Sequence, residues 1–284
     1  MNNTPLVSVC IPVFNGEKTI DEAIQSIINQ TYQNIEIIVS DNASTDKTLK
    51  QLSRYNDPRI LIYHNKISTS NGESNWDKCI ELANGEYIAI FHADDVYSPD
   101  IIEKEVKMFQ KYPDIGAVFT EFNVIDETGK QTSVCKHIPE FKGNPTLNRE
   151  TVFLNLLKYG NTFLCCSSAM VKSEIYKDLY PFKYDEFCSS SDLDMWLRIL
   201  NNHNIVIIDE KLMNYRHSKT QGSAIINRLR IEKRDKYKVI DYYLHGDFKN
   251  LKISLWVLIN YNIRLYWDTL CIIKNKLIVG IMKK

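Results

Sequence analysis

Two neighbouring carboxylates, Asp94 and Asp95, follow the apolar run from Tyr87 to Phe91 closely enough to stand at the end of a strand. Magnesium and manganese take oxygen ligands and share their coordination between one or two carboxylates and phosphate oxygens. A side-by-side aspartate pair therefore suits a divalent cation that offsets charge growing on a diphosphate leaving group. The competing reading is a solvated turn in which Asp95 or Ser98 caps the next helix. A further acid, Asp41, follows the run Ile35 to Val39, and another, Asp192, opens the segment DLDMWLRIL. Asp192 has two readings of its own, a general base for a hydroxyl proton or a helix N-cap.

These acids need strand ends to hold them, and the first hundred residues supply the pattern. VSVCIPVF, from Val7 to Phe14, is β-branched and apolar on both faces, as a strand buried in a parallel sheet should be. Ile20, Ala23, Ile24, Ile27 and Ile28 recur at helical spacing within 17–30, and Ile35 to Val39 is a second strand. Ser44-Thr45-Asp46 predicts a capped helix through Tyr55, followed by a strand from Arg59 to Tyr63, a helix from Asn75 to Ala83 and a strand from Tyr87 to Phe91. Alternating strands and helices predict an open parallel sheet with ligands at the carboxyl ends of its strands. Ser98-Pro99-Asp100 then starts a helix ending near Tyr112-Pro113. Beyond it the pattern predicts a strand over 116–125, a turn at Glu127-Thr128-Gly129 and a loop over the site through about Asn148. A strand over 162–171, a helix over 190–201 and a strand over 205–209 complete the region.

Composition narrows the class. A chain of 284 residues, 44% hydrophobic and 25% charged, holds a sizeable α/β domain with an appendage. Its formal net charge of zero gives no general electrostatic reason to expect nucleic-acid binding. The seven cysteines are scattered without a C-x-x-C pair, which predicts reduced thiols. The first residues lack the basic and apolar regions of a signal peptide, and no apolar run reaches the roughly 18 residues of a spanning helix. The expectation is a cytoplasmic protein.

Four segments in order, VSVCIPVFNG, IEIIVSDNASTDKT, GEYIAIFHADDVYSPD and SSSDLDMWLRI, resemble the family 2 glycosyltransferases. The resemblance spans residues 5 to 223. It implies a GT-A fold, Rossmann-like with a mostly parallel central sheet between helices. It implies inverting transfer of a sugar from a nucleoside-diphosphate sugar, UDP-sugar favoured, assisted by Mn2+ or Mg2+. The acceptor would be a hydroxyl of a glycan or polyprenyl-diphosphate-linked glycan, as in bacterial surface polysaccharide synthesis. Carried over by position, Pro12, Val13 and Phe14 would flank the base and Asp41 would hydrogen-bond it. Asp94 would meet the ribose or help order the metal, Asp95 would ligate the metal, and Glu17 and Lys78 would lie near ribose or phosphate. Asp192 would be the catalytic base, with Asp194 toward the acceptor. Tyr215-Arg216-His217 and Ser223 would close over the diphosphate, with His217 a metal or phosphate ligand. The sequence departs from the common pattern at His92, where many members carry an aspartate, and at Ser191, where the usual residue is glutamate.

A domain boundary is placed at 223/224, where the composition shifts to basic and aromatic helical stretches. That 224–284 extension, with Arg228, Arg230, Lys233, Arg234, Lys236 and Lys238 ahead of residues rich in Leu, Ile, Trp and Tyr, has two readings. It lies on the inner membrane surface, or it packs on the catalytic domain or on a second subunit as a homo-oligomer. Two rival functions remain on sequence alone: a nucleotidyltransferase of similar fold, and a non-catalytic sugar-nucleotide or glycan-binding module. The first would carry a glycine- and base-rich loop after the first strand, where this chain has Phe14-Asn15-Gly16-Glu17. No G-x-G-x-x-G follows that strand to suggest a dinucleotide.

Overall fold

A computed structural model describes residues 4–69, 74–135, 137–143, 145–217 and 235–281. The first half is built as the apolar runs dictate. Strands β1 (Val7–Val13), β2 (Ile35–Asp41), β3 (Ile60–His64) and β4 (Tyr87–Ile90) lie parallel in the order β3-β2-β1-β4. Helices α1 (Ile20–Ile28), α2 (Thr48–Leu52) and α3 (Ser74–Leu82) make the crossovers. Alternate side chains of β1 enter different layers. Val7, Val9 and Ile11 join a core with Ile20, Ile24 and Ile27 of α1, while Cys10 joins the opposite core with Cys79 and Ile80 of α3. Burial on both faces explains why this strand reads as a continuous apolar run.

The second half departs from a parallel sheet. Strand β5 (Val96–Tyr97) precedes α4 (Ile101–Lys111), and β6 (Ile115–Ile125) leads to β7 (Gln131–Val134). Helix α5 (Arg149–Tyr159), β8 (Met170–Lys172), α6 (Ser173–Leu179), α7 (Tyr184–Phe187), α8 (Ser191–Ile199) and β9 (Asn204–Arg216) follow. Among the described residues the mixed sheet has nine strands and continues β4-β8-β6-β9-β5, with β7 on β6. β8 is antiparallel to both neighbours, β9 is parallel to β6, and β5 runs antiparallel to β9.

Four sequence expectations are corrected. The strand expected over 162–171 is a short strand preceded by a 3-10 turn at Cys166–Ser168. Here Asn161 Oδ1 accepts from Leu164 N–H and the Ser168 hydroxyl donates to the Cys165 carbonyl, so side chains take backbone groups that a ladder would use. The helix expected from Ser44 to Tyr55 shrinks to α2, because Asp46 Oδ1 accepts Thr48 N–H at 2.9 Å and holds the residues ahead of the Lys47 N-cap in a turn. The loop expected after 129 contains β7, a hairpin return turned at Gly129 with φ +84°. The strand expected over 205–209 extends to Arg216, since the long β6 offers it a partner along most of its length through bulges.

Beyond the 218–234 stretch, which lies outside the described residues together with the expected 223/224 boundary, come α9 (Asp235–His245) and α10 (Leu255–Ile281). Tyr237, Val239, Ile240, Tyr243, Phe248 and Tyr261 share one core with α5 and α8. Phe248 stacks on Phe153 at 3.9 Å.

Candidate active site

The register of the parallel half gathers the acids. Val13 lies beside Asp41 and Cys10 beside Ile90, so the segments after β1, β2 and β4 leave the sheet along one edge. β1 is the strand from which the chain order turns both ways, to β2 on one side and β4 on the other. In such sheets that point opens a crevice at the carboxyl ends.

Two loops form its floor. Asn15, at φ 53°, donates its N–H to Ser44 Oγ at 2.8 Å, and its side-chain oxygen accepts from Thr45 N–H at 2.8 Å. Gly16 N–H reaches Thr48 Oγ1 at 2.9 Å, and a Cβ on Gly16 would come within 2.7 Å of Val13 Cγ2. Beside this stitched pair Val13 is buried, Pro12 is half-buried, and Phe14 presents 52% of its surface to solvent. Glu17 belongs to the same pair of loops, but its carboxylate accepts from Lys47 N–H at 3.1 Å.

Asp41 is fully buried. Its Oδ2 meets His64 Nδ1 at 2.8 Å and accepts Ser44 N–H at 3.1 Å, while its Oδ1 has no hydrogen-bond partner among the described residues. A buried acceptor left open at a strand end is set to receive an N–H from a ligand, since leaving it unmade is costly. His64 is the partner that orients Asp41. The signal lay in the parallel register, which pairs Asp41 with His64 across β2 and β3.

Asp95 is also fully buried. Its Oδ1 accepts the backbone N–H of Arg216 at 2.7 Å, and its Oδ2 has no hydrogen-bond partner among the described residues. Burial, and then the charge of Asp94, hold its carboxyl well above the usual range. The Arg216 guanidinium donates to the Asp94 carbonyl at 2.8 Å and to the Asp126 carbonyl at 3.2 Å, and pairs with Glu22. Pairing of Val96 with Asn214 and Tyr97 with Met213 sets this contact up.

His92, which the sequence did not assign as a ligand, completes a cluster with Asp94 and Asp95. One ligand atom from each of His92, Asp94 and Asp95 lies within 4.8 Å of the other two. His92 Nδ1 stands 3.9 Å from Asp95 Oδ2, Trp76 packs on its ring at 5.5 Å, and burial lowers its pKa, which favours the neutral imidazole that ligates metals. Two carboxylates with one open buried oxygen, beside a neutral imidazole, fit a divalent cation of the Mn2+ type.

Asp192 sits in the first turn of α8, with Ser190 rather than Asp192 at the N-cap. Its Oδ1 accepts Leu193 N–H at 2.8 Å, and burial pushes its pKa up to about 6. Cys165 ties it to the metal-type cluster. That half-buried thiol is pushed up to about 12 by desolvation, then by the charge of Asp95 and more weakly by that of Asp192, so both carboxylates lie within electrostatic reach of it.

The remaining sequence candidates stand apart. Lys78 lies on the exposed stripe of α3, ion-paired with Glu81 at 3.2 Å. Asp194 is buried and engaged by Arg198 Nε at 2.8 Å and by the Tyr243 hydroxyl at 2.7 Å, so it braces α8 against α9. His217 is exposed beside Arg216, its N–H on the Ile125 carbonyl, and its ring is not part of the His92 cluster. Ser223 lies outside the described residues.

A Rossmann-like mixed sheet with acids at its switch point is an architecture that binds ligands in the crevice at the carboxyl ends of its strands. The chain belongs to glycosyl transferase family 2, whose sequence pattern matches residues 8–180. It is 33% identical over 276 residues to an uncharacterized glycosyltransferase of Methanocaldococcus jannaschii, covering 92% of this chain and 88% of that one. It is 26% identical over 257 residues to an Escherichia coli protein, covering 90% and 92%. That protein is named UDP-Glc:alpha-D-GlcNAc-diphosphoundecaprenol beta-1,3-glucosyltransferase WfgD. Among solved structures, S. aureus TarS 1-349 in complex with UDP-GlcNAc gives a TM-score of 0.62 at 16% identity, covering 93% of this chain and 81% of that one. The mannosyltransferase PcManGT of Pyrobaculum calidifontis, in complex with GDP-Man and Mn2+, gives 0.58 at 17% identity, covering 97% and 75%. These two share its GT-A fold.

Proposed function

We propose that this chain transfers a sugar from a nucleoside-diphosphate sugar, UDP-sugar favoured, to a hydroxyl of a glycan or lipid-linked glycan, inverting the anomeric centre. The observation that carries this reading is two open buried carboxylate oxygens, Asp41 Oδ1 and Asp95 Oδ2, after strands whose carboxyl ends lie along one edge of the sheet. The E. coli relative, named for a UDP-glucose donor and a diphosphoundecaprenol-linked acceptor, supports both ends of the reaction.

In this reading Asp41 takes an imide N–H of the base, with Pro12, Val13 and the exposed Phe14 flanking the ring. Asp94 meets the ribose. Asp95, Asp94 and His92 would hold the Mn2+ or Mg2+ ion, which when bound supplies positive charge against the diphosphate leaving group. His217 and Glu17 would lie at the margin of the donor, and Lys78 joins it only by leaving Glu81.

Asp192 serves as general base. Its carboxylate takes the proton of the acceptor hydroxyl as that oxygen forms a bond to the anomeric carbon, and the bond from that carbon to the diphosphate oxygen breaks on the opposite face. The displacement inverts the centre and leaves the proton on Asp192. A pKa of about 6 suits a base that must be ionised near neutrality yet still accept a proton.

The test is a panel of nucleoside-diphosphate sugars, scored for metal-dependent binding and hydrolysis. The reading predicts that a UDP-sugar binds with Mn2+ and is released by EDTA. Binding of none of them, or binding indifferent to metal, would remove it.

A further inference from the structure

Helix α10 presents a continuous apolar stripe to solvent. Leu255, Trp256, Ile259, Ile263, Tyr266 and Trp267 recur at spacings of three, four and one, so they share one side of the helix. Trp256 is 62% exposed, Tyr266 62% and Trp267 61%. The other side is committed: Tyr261 is buried, Val257 and Leu265 pack on the main core, and Arg264 donates to the Leu157 carbonyl of α5. The stripe runs for about 18 Å along the axis. Single exposed apolar residues are ordinary, but six in one line are a surface built to be covered.

Charge decides the occupant. From Lys249 to Lys284 there are seven lysines and arginines and one acid, Asp268. This segment therefore carries +6, and the 248 residues before it carry −6, since the whole chain balances at 35 of each sign. Lys249 and Lys252 are exposed immediately before the stripe begins. A second copy of the chain would bring the same positive segment against itself when the stripes meet face to face. A bilayer with anionic headgroups offers the opposite charge and the headgroup-level environment in which tryptophan and tyrosine rings settle. No helix among the described residues is long and apolar enough to cross a membrane, so the arrangement is one of lying on the surface.

We infer that α10 docks this protein on an anionic membrane surface, with Trp256, Ile263 and Trp267 entering the acyl boundary and the flanking lysines meeting the headgroups. The inference stands on the helix and needs no acceptor reading.

The experiment is co-sedimentation of the full chain with phosphatidylcholine vesicles, with and without phosphatidylglycerol. The expected result is binding that needs phosphatidylglycerol, weakens with salt, and falls by about tenfold or more in a Trp256→Ser, Trp267→Ser double variant. A Lys249→Glu, Lys252→Glu variant, which touches none of the helix packing, is expected to lose affinity for the anionic vesicles alone. UDP binding, measured in the same preparations without vesicles, is expected to be unchanged in both variants. Wild-type protein left in the supernatant, or variants that sediment like wild type, would overturn the inference. So would a wild-type dimer in sedimentation velocity that the tryptophan variant turns into a monomer, because a second copy would then cover the stripe.

Discussion

The backbone N–H of Arg216 donates to Asp95 Oδ1 at 2.7 Å across a separation of 121 residues, and the same residue's guanidinium holds the Asp94 carbonyl at 2.8 Å. One arginine at the end of β9 thus fixes both members of the acidic pair. Arg216→Met keeps the bulk and loses the donors, leaving the Asp94 and Asp126 carbonyls short of partners at a cost of about 1–3 kcal/mol each. The expected outcome is a Tm lower by about 5 °C or more and a divalent-cation affinity weakened about tenfold. Thermal melts and calorimetric titration with Mn2+ check it. A variant with lowered Tm and unchanged affinity would show that the contact supports the fold alone.

His92 stands where an aspartate is common, and an imidazole nitrogen favours Mn2+, Co2+ or Zn2+ over Mg2+ more than a carboxylate oxygen does. His92→Asp is therefore expected to shift the ratio of Mn2+ to Mg2+ affinity by about tenfold toward Mg2+. Competition titrations read the ratio directly, and loss of nitrogen hyperfine coupling in the Mn2+ spectrum reads the ligand. An unchanged ratio would put His92 outside the coordination shell.

The parallel half was legible because β1, β2 and β4 are buried on both faces and read as unbroken apolar runs, with helices at a clear 3.6 period between them. Since parallel strands end together, Asp41, Asp94 and Asp95 could be placed on one edge before any coordinates. The short strands of the second half were illegible for the opposite reason. β5 has two residues and β8 three, too few to show any period, and the apolar Phe163 and Leu164 are buried in a loop. Site partners that depend on cross-strand neighbours, such as His64 beside Asp41, need the register as well as the residues. The ion pair of Lys78 with Glu81 likewise needs the face of α3, which the sequence alone does not give.

In the proposed reading the open Asp41 Oδ1 accepts from the base, and what it accepts decides which bases bind. Uracil carries an N–H at ring position three, whereas cytosine carries a lone pair there that a carboxylate repels. Wild-type protein is expected to bind UDP more tightly than CDP, and Asp41→Ala to weaken UDP by about 10- to 100-fold while leaving CDP much less affected. Equilibrium dialysis with the two nucleotides measures the loss of discrimination. Equal weakening of both would assign Asp41 to holding the loop through His64 and Ser44.

Asp192 gives a prediction in which activity and stability move in opposite directions. Its carboxyl titrates near 6 in the folded protein, raised by burial from the ordinary 3.8. A base must be ionised, so kcat/KM is expected to fall about tenfold per unit as pH drops below about 6 and to level off above it. The stability sign is the reverse. Between 3.8 and about 6 the folded state holds a proton that the unfolded state has released, so this group's contribution to stability declines as pH rises through that window and is lowest above it. Asp192→Asn removes the ionisation and its burial cost together. At pH 7 the variant is expected to melt at or above the wild-type temperature, to bind UDP with unchanged affinity, and to transfer sugar about 10²- to 10⁴-fold more slowly. Its residual rate should no longer bend near pH 6. A variant that retains the bend would place the titrating base on another residue, and one that melts lower would mark Asp192 as a structural support of α8.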